Sequence, residues 1–265
     1  MVEGRGELFE ELVGIMERLR GPHGCPWDRE QTRESIRPYL IEEAYEVLEA
    51  LDEGDLGKYR EELGDLLLQV VFHAQLAAEQ GEFTIDDVLK AISGKLIKRH
   101  PHVFGGAKME TAEEVLAHWE AEKSAERRAQ GGSALDGVPK ELPALLRAHR
   151  LQEKTSRIGF DWKEAKGVFE KVEEELRELK AAAEKGEAGQ VEAELGDFLF
   201  ALVNLSRFLR VNPEEALRKS IDRFIARFRY IEQEMAGRGK DLEEASLEEL
   251  DELWEEAKKT LDPLA

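Results

Sequence analysis

An internal repeat constrains this chain more than any other feature. Glu42-Glu43-Ala44-Tyr45-Glu46 returns as Glu174-Glu175-Leu176-Arg177-Glu178, and Glu62-Leu63-Gly64-Asp65 returns as Glu194-Leu195-Gly196-Asp197. Both pairs are offset by 132 residues (174 − 42 and 194 − 62), so the spacing inside each half is the same. Downstream, residues 83–89 are answered by residues 211–217. Each stretch reads as a helix start, with Thr84 or Asn212 as the cap and Asp87 or Glu215 at the third helical position. Pro213 falls at the first helical position, where its missing N–H costs nothing. A final correspondence closes each half: Thr111, Glu114 and Trp119 against Ser246, Glu249 and Trp254. The chain is therefore read as two copies of one supersecondary unit, residues 1–130 and 131–265. Gln130-Gly131-Gly132-Ser133, small and glycine-rich, is the expected joint.

Within a copy the apolar period is helical. Leu40, Ala44, Val47, Leu48 and Leu51 recur at three- and four-residue steps, as do Leu63, Leu66, Leu67, Val70, Val71 and Ala74. Asp52-Glu53-Gly54-Asp55 divides these two helices, and Glu184-Lys185-Gly186-Glu187 does the same in the second copy. No strand pattern emerges. The predicted fold is all-α, two tandem antiparallel helical bundles with short loops.

Charge excludes several functions. The net charge of −20 repels a nucleic-acid backbone, so bulk DNA or RNA is not an expected partner. The apolar run 66–78 is interrupted by Gln69, His73 and Gln75 and falls short of the ~18 residues a membrane span needs, so it reads as a buried helix. The N-terminal stretch mixes Glu and Arg with its apolar residues, unlike a signal peptide. The single cysteine, Cys25, permits no internal disulfide and is expected to be buried rather than nucleophilic. The expected location is the cytoplasm.

The acids of the repeat carry the chemistry. Glu43 and Glu46 lie three apart on one helix face, and so do Glu62 and Asp65 on the next helix. Packed antiparallel, the two helices bring four carboxylates together. Such a cluster, with no matching local cation, is tolerable around a hard divalent ion, for which carboxylate oxygens are preferred ligands. Glu175, Glu178, Glu194 and Asp197 form the same set in the second copy. Glu42 and Glu174 lie about 100° further round their helices, placed to reach a second metal or orient a water. With 58 acids in 265 residues, one such pattern alone would read as a solvated face. Its return at the same spacing amid altered neighbours favours the metal reading. Gly64 and Gly196 persist between the acids at about 1 kcal/mol each relative to alanine, and close helix approach is the expected reason.

Glu-Glu-x-x-Glu, with Glu-x-x-Asp starting sixteen positions after its last acid, resembles the signature of the all-alpha nucleoside triphosphate pyrophosphohydrolases. Gly24-Cys25-Pro26-Trp27-Asp28, residues 98–105 and Gly159-Phe160-Asp161-Trp162 narrow the resemblance to the two-copy MazG group. The resemblance implies magnesium held by the four acids of each site, with manganese as a substitute. It implies cleavage of ribo- and deoxyribonucleoside triphosphates, ATP among them, to monophosphate and pyrophosphate, by metal-activated water attack at the alpha phosphorus. Glu174 would then activate or orient the water. Arg223 and Arg227, one turn apart, match a phosphate-contacting pair; Lys95 and Arg99 match it in the first copy. Solubilising surface charge is the alternative for these cations. Lys171 and Trp254 match nucleotide contacts, Trp254 by stacking on a base or else as a core residue. Trp119 reads as core, and His100 and His102 as structural, because magnesium does not favour imidazole. The resemblance also implies a homodimer and allows one copy to be mainly structural. The second copy, with two arginines, Lys171 and Trp254, is expected to be the stronger.

Three rival functions are weighed. A di-iron bundle needs Glu-x-x-His on two helices, and here those positions are Glu and Asp. A dUTP or phosphoribosyl-ATP hydrolase is opposed by the duplication. A non-enzymatic acidic scaffold explains charge and helices but not the repeated acid spacing.

Overall fold

The computed structural model describes residues 4–129 and 131–261, apart from the side chains of 120, 124–129 and 244. Among the described residues there is no strand. The chain divides into two compact units between Glu122 and Lys123. The first contains α1 (Arg5–Arg20), α2 (Pro26–Glu30), α3 (Arg33–Glu53), α4 (Leu56–Glu79), α5 (Ile85–Arg99) and α6 (Pro101–Phe104). The division falls inside α7 (Ala112–Ala129). The second contains α8 (Ala144–Arg157), α9 (Ala165–Lys185), α10 (Ala188–Phe208), α11 (Pro213–Gly237) and α12 (Leu247–Leu261), with a 3-10 turn at Leu242–Glu244. Of the expected joint, Gln130 lies outside the described residues, and Gly131 has φ +72°.

The repeat is visible as geometry. Adding 132 to the limits of α3 (33 and 53) gives 165 and 185, the limits of α9. Each hairpin turns at a glycine in the left-handed region, Gly54 at φ +69° and Gly186 at φ +73°. A residue without Cβ adopts that conformation at least cost. Asp55 then caps α4, its Oδ1 accepting from the Gly57 N–H at 2.8 Å and the Lys58 N–H at 3.1 Å. The other starts follow the side-chain caps read from the sequence. Thr84 and Asp87 form a capping box, and the Glu114 N–H donates to Thr111 Oγ1 at 3.2 Å. Asn212 Oδ1 accepts from the Glu215 N–H, and Ser246 Oγ from the Glu249 N–H. The Glu249 carboxylate itself turns to Lys240, at 3.0 Å.

Each unit buries its own small core. In the first, α4 packs between α3 and α1 and touches α5. Met16, Ile36, Val71, Phe72 and Leu76 form its apolar centre. Arg20 ties α1 to this centre. Its guanidinium lies 5.4 Å from the Phe72 ring centroid, bonds both Glu79 carboxylate oxygens at 2.7 Å, and donates to the Asp28 and Gln31 carbonyls. In the second unit α10 packs on α9 and α8, while α11 packs on α12 around Ile231, Met235 and Leu253.

Two expectations fail here. A Cβ built on Gly64 or Gly196 meets nothing within 4 Å, so close helix approach within the chain does not explain those glycines. Cys25 is half-buried at the N-terminus of α2, not buried.

Candidate functional site

In the second unit the α9–α10 hairpin brings the acids together in two groups of three that share Glu175, not in the single group of four expected, and Glu178 is not grouped with Glu194 and Asp197. One carboxylate oxygen each from Glu175, Glu194 and Asp197 lie within 4.8 Å of one another, and the same holds for Glu174, Glu175 and Glu178. Glu175 belongs to both groups and is the buried member, 6% exposed. A carboxylate removed from water needs a compensating charge. Lys171, one turn upstream, supplies it: its Nζ lies 2.6 Å from an oxygen of Glu174 and of Glu175. The expectation of acids without a local cation is therefore corrected for this unit. The reason is helical register, since positions 171, 174 and 175 share one face. The hydrogen bond from Lys171, and then its charge, hold the Glu174 carboxyl below the usual carboxylate range; the bonds to Glu174 and Glu175 push Lys171 up.

The first unit gathers the matching acids differently. Glu43, Glu62 and Asp65 lie within 4.8 Å of one another. Burial first, then the charges of Asp65 and Glu46, push the Glu43 carboxyl up. Burial, then Glu46 and Asp65, do the same to Glu62, so Glu46 is near both. The position matching Lys171 is Tyr39, and Lys58 bonds Glu49 and Glu53 at 2.6 and 3.0 Å. Gln69 instead donates to Glu43 at 3.4 Å. Both clusters fit a hard divalent cation by donor chemistry, all oxygen and all anionic when ionised. In the first, carboxyls crowded enough to resist ionisation are what such an ion would relieve. Glu42 is exposed beside them.

Next to the second cluster is a cavity of about 280 Å³ that no sequence pattern announces. Lys171, Glu175 and Asp197 form part of its wall, and Gln152, Trp162 and Asn204 another part. Gln152 donates from Nε2 to the Phe200 carbonyl at 2.8 Å. Arg207 is clasped by Asp161, with one bond at 2.9 Å and a second from its other terminal nitrogen, and donates to Asn204 Oδ1 at 3.1 and 2.8 Å. Asp161 and Trp162 belong to the Gly-Phe-Asp-Trp stretch, whose role the sequence leaves open. The signal for the others is an asparagine and an arginine within the largely apolar run 198–209.

The remaining candidates form a separate group. Arg227 lies over the Trp254 ring, 5.3 Å from its centroid, and Phe224 packs on the same ring at 5.3 Å. Trp254 is half-buried against the α11–α12 core. Arg223 is exposed one turn before Arg227. In the first unit Lys95 is exposed and Arg99 half-buried. Trp119 donates from its indole to the Arg99 carbonyl at 2.8 Å and meets His100 edge-on, while His100 Nδ1 lies 2.7 Å from the Leu96 carbonyl. These contacts are structural, as read for Trp119 and His100.

Comparison with known proteins adds a family. Residues 31–104 and 164–231 each match the MazG nucleotide pyrophosphohydrolase domain. A Thermotoga maritima protein named nucleoside triphosphate pyrophosphohydrolase/pyrophosphatase MazG is 53% identical over 253 residues, 96% of each chain. The Escherichia coli K12 nucleoside triphosphate pyrophosphohydrolase is 46% identical over 95% of this chain and 97% of its own. The uncharacterized protein YabN of Bacillus subtilis is 49% identical over 95% of this chain and 52% of its own.

Proposed function

This chain belongs to the MazG nucleotide pyrophosphohydrolase family, and we infer from that membership that it hydrolyses ribo- and deoxyribonucleoside triphosphates to monophosphate and pyrophosphate. The observation that carries the reading is the convergence of Glu175, Glu194 and Asp197 beside a cavity. Glu175, Glu178, Glu194 and Asp197 would hold a divalent ion, for which we propose magnesium, with manganese as substitute. Such an ion supplies neutralisation of phosphate oxygens and a lowered pKa for a water near phosphorus.

The chain's own residues do the positioning that dominates phosphoryl transfer. Glu174, kept ionised by Lys171, accepts a hydrogen bond from the attacking water and orients it at the alpha phosphorus. Lys171, the cation at the acids, meets the incoming phosphates. Arg223 and Arg227 are proposed to stabilise charge on the departing pyrophosphate, as Lys95 and Arg99 would in the first unit. The division of the chain into copies 1–130 and 131–265 is part of the same proposal.

Assembly and location complete it. Leu199, Phe200, Phe224 and Ile225 are exposed apolar side chains on α10 and α11, and we propose that a second copy of the chain covers them. Among the described residues no helix is long and apolar enough to cross a membrane. Location in the cytoplasm is proposed on the unpaired Cys25 and the nucleotide substrate. The net charge of −20 supports a small metal-bridged polyanion over bulk nucleic acid as ligand.

Hydrolysis in oxygen-18 water tests the reaction. The label is expected in the nucleoside monophosphate and none in pyrophosphate, with turnover abolished by excess chelator. Nucleoside diphosphate and orthophosphate as primary products would overturn the reading.

A further inference from the structure

The acid cluster of the first unit leads to two buried polar atoms without partners. Gln69 is 7% exposed and lies one turn beyond Asp65 on α4, on the same helix face. Its Nε2 donates to Glu43 at 3.4 Å, longer than an ordinary N–H···O bond. Its Oε1 is buried and has no hydrogen-bond partner among the described residues. His73 follows one turn further on, and its Nε2 is buried and unpartnered in the same sense. Asp65, Gln69 and His73 thus form one stripe along α4 that starts at the acids. A buried polar atom without a partner is costly, and two on neighbouring side chains call for an arrangement that satisfies both.

A half-turn of the Gln69 carboxamide exchanges its ends and supplies that arrangement. Oε1 then takes the place of Nε2, 3.4 Å from the Glu43 oxygen. Two oxygens held at about 2.1 Å by an octahedral ion lie about 3 Å apart, so this is close to where a further ligand of an ion shared with Glu43 belongs. Without an ion the turn would set an oxygen against a carboxylate, which explains why Nε2 faces Glu43 here. With an ion the turn frees the N–H group for His73, whose Nε2 accepts it when the ring carries its proton on Nδ1. An imidazole in that place fixes the orientation of the amide, as outer-shell partners do at metal sites.

We propose that Gln69 is a ligand the first unit adds to its acids: its Oε1 joins Glu43, Glu62 and Asp65 on a divalent ion, and His73 holds its amide nitrogen. The proposal rests on the fit of the first cluster to a divalent cation, and adds to it a residue and a difference between the units. Offset by 132, Gln69 corresponds to Ala201 and His73 to Leu205, so the second unit has neither group. It has Lys171 beside its acids, where the first unit has Tyr39. An ion in the first unit therefore keeps one more protein oxygen and one fewer water, and meets no lysine at that position. Glu43 comes from α3, and Glu62, Asp65 and Gln69 come from α4, so the ion ties the hairpin together. The first site retains its ion as part of the fold, while the second exchanges it.

Calorimetric titration of manganese into the chelator-stripped full chain tests the ligand. The parent protein carries Glu175→Gln and Asp197→Asn, so that the first unit alone reports. Adding Gln69→Met, which keeps a side chain of similar length without the oxygen, should weaken manganese binding at least tenfold. Equal affinity in this variant and its parent, with helicity intact, would overturn the proposal and leave the metal reading of the acids standing. No binding by the parent itself would sink both. Nitrogen NMR of the histidine rings in the otherwise unaltered chain gives an independent reading, with the His73 signal assigned by its loss in His73→Phe. Saturating magnesium should shift the His73 Nε2 signal as it gains a donor, and Gln69→Met should abolish that shift. A His73 signal that does not respond to magnesium would overturn the proposal. If Gln69→Met loses its helical circular dichroism, the His73 signal of the unaltered chain decides.

Discussion

Replacing Lys171 by methionine should make the metal-free second site bind a divalent cation more tightly, while weakening nucleotide binding. The structure sets the size of the effect. The Lys171 ammonium lies 2.6 Å from a Glu175 oxygen, and an ion ligated by that carboxylate would sit about 2.1 Å from its oxygen. The two cations would be about 4 Å apart. At that distance +2 and +1 repel by about 2 kcal/mol even with the screening of bulk water, and by more at the dielectric of a protein surface. The flexible lysine stem lets the ammonium retreat, so the low figure applies; it corresponds to roughly a ten- to thirtyfold change in affinity. Methionine keeps an apolar stem of similar length without the charge. The assay is calorimetric titration of manganese into chelator-stripped protein without nucleotide, in a Glu43→Gln, Asp65→Asn background so that the second unit alone reports. Equal or weaker binding in Lys171→Met, with helicity intact, would refute the reasoning, because Lys171 would then be organising the acids for the ion rather than standing in for it.

Two further outcomes are expected. Glu175→Gln should lower turnover at least a hundredfold and Glu43→Gln much less, since the cavity and Lys171 belong to the second unit; a larger loss from Glu43→Gln in steady-state assays would put the active site in the other half. Glu79 is held below the usual carboxylate range chiefly by its hydrogen bonds from Arg20, so it contributes stability above that range that is lost as pH falls through its folded value. Glu79→Gln should cost about 1–2 kcal/mol at pH 7, discounted because Glu79 is partly exposed, and flatten the acid limb of urea unfolding midpoints as pH falls below the usual carboxylate range; an unchanged acid limb would rule this pair out as its source.

What is legible in the sequence is local. Gly54 and Gly186 mark their turns because left-handed backbone favours glycine. Thr84, Asn212 and Ser246 mark helix starts because a cap spans only three residues. The acids are legible because residues three apart share a helix face, and the repeat shows it twice. The pairing of Lys171 with Glu174 and Glu175 obeys the same rule, although family resemblance points to Lys171 only as a nucleotide contact. The cavity is not legible. Gln152 meets Phe200 across 48 residues, and Asp161 meets Arg207 across 46. No period or spacing along the chain encodes such pairs; they follow from how α8 and the loop 159–162 lie on α10. Gly64 and Gly196 mislead in the opposite sense, since a glycine in a helix signals a reason without saying whether a second helix supplies it.

The two units hold the same acids and neutralise them in different ways, and that difference bears on what each is for. In the first, burial and mutual repulsion push Glu43 and Glu62 up, and the group that bonds Glu43 is a neutral amide, Gln69. A proton can relieve that crowding, but a proton holds no substrate. In the second, the relief is a lysine on a flexible stem, within reach of both the acids and the cavity. A mobile cation can leave the acids when a metal enters and remain beside an arriving phosphate. Duplication thus supplies two acid clusters, and the residues around them make one suited to holding charge and the other to exchanging it. Phe72 and Asn204 lie at matching positions on α4 and α10, and they draw the same distinction further along the helix: a ring packed into the core in one unit, and a buried amide that lines a cavity in the other.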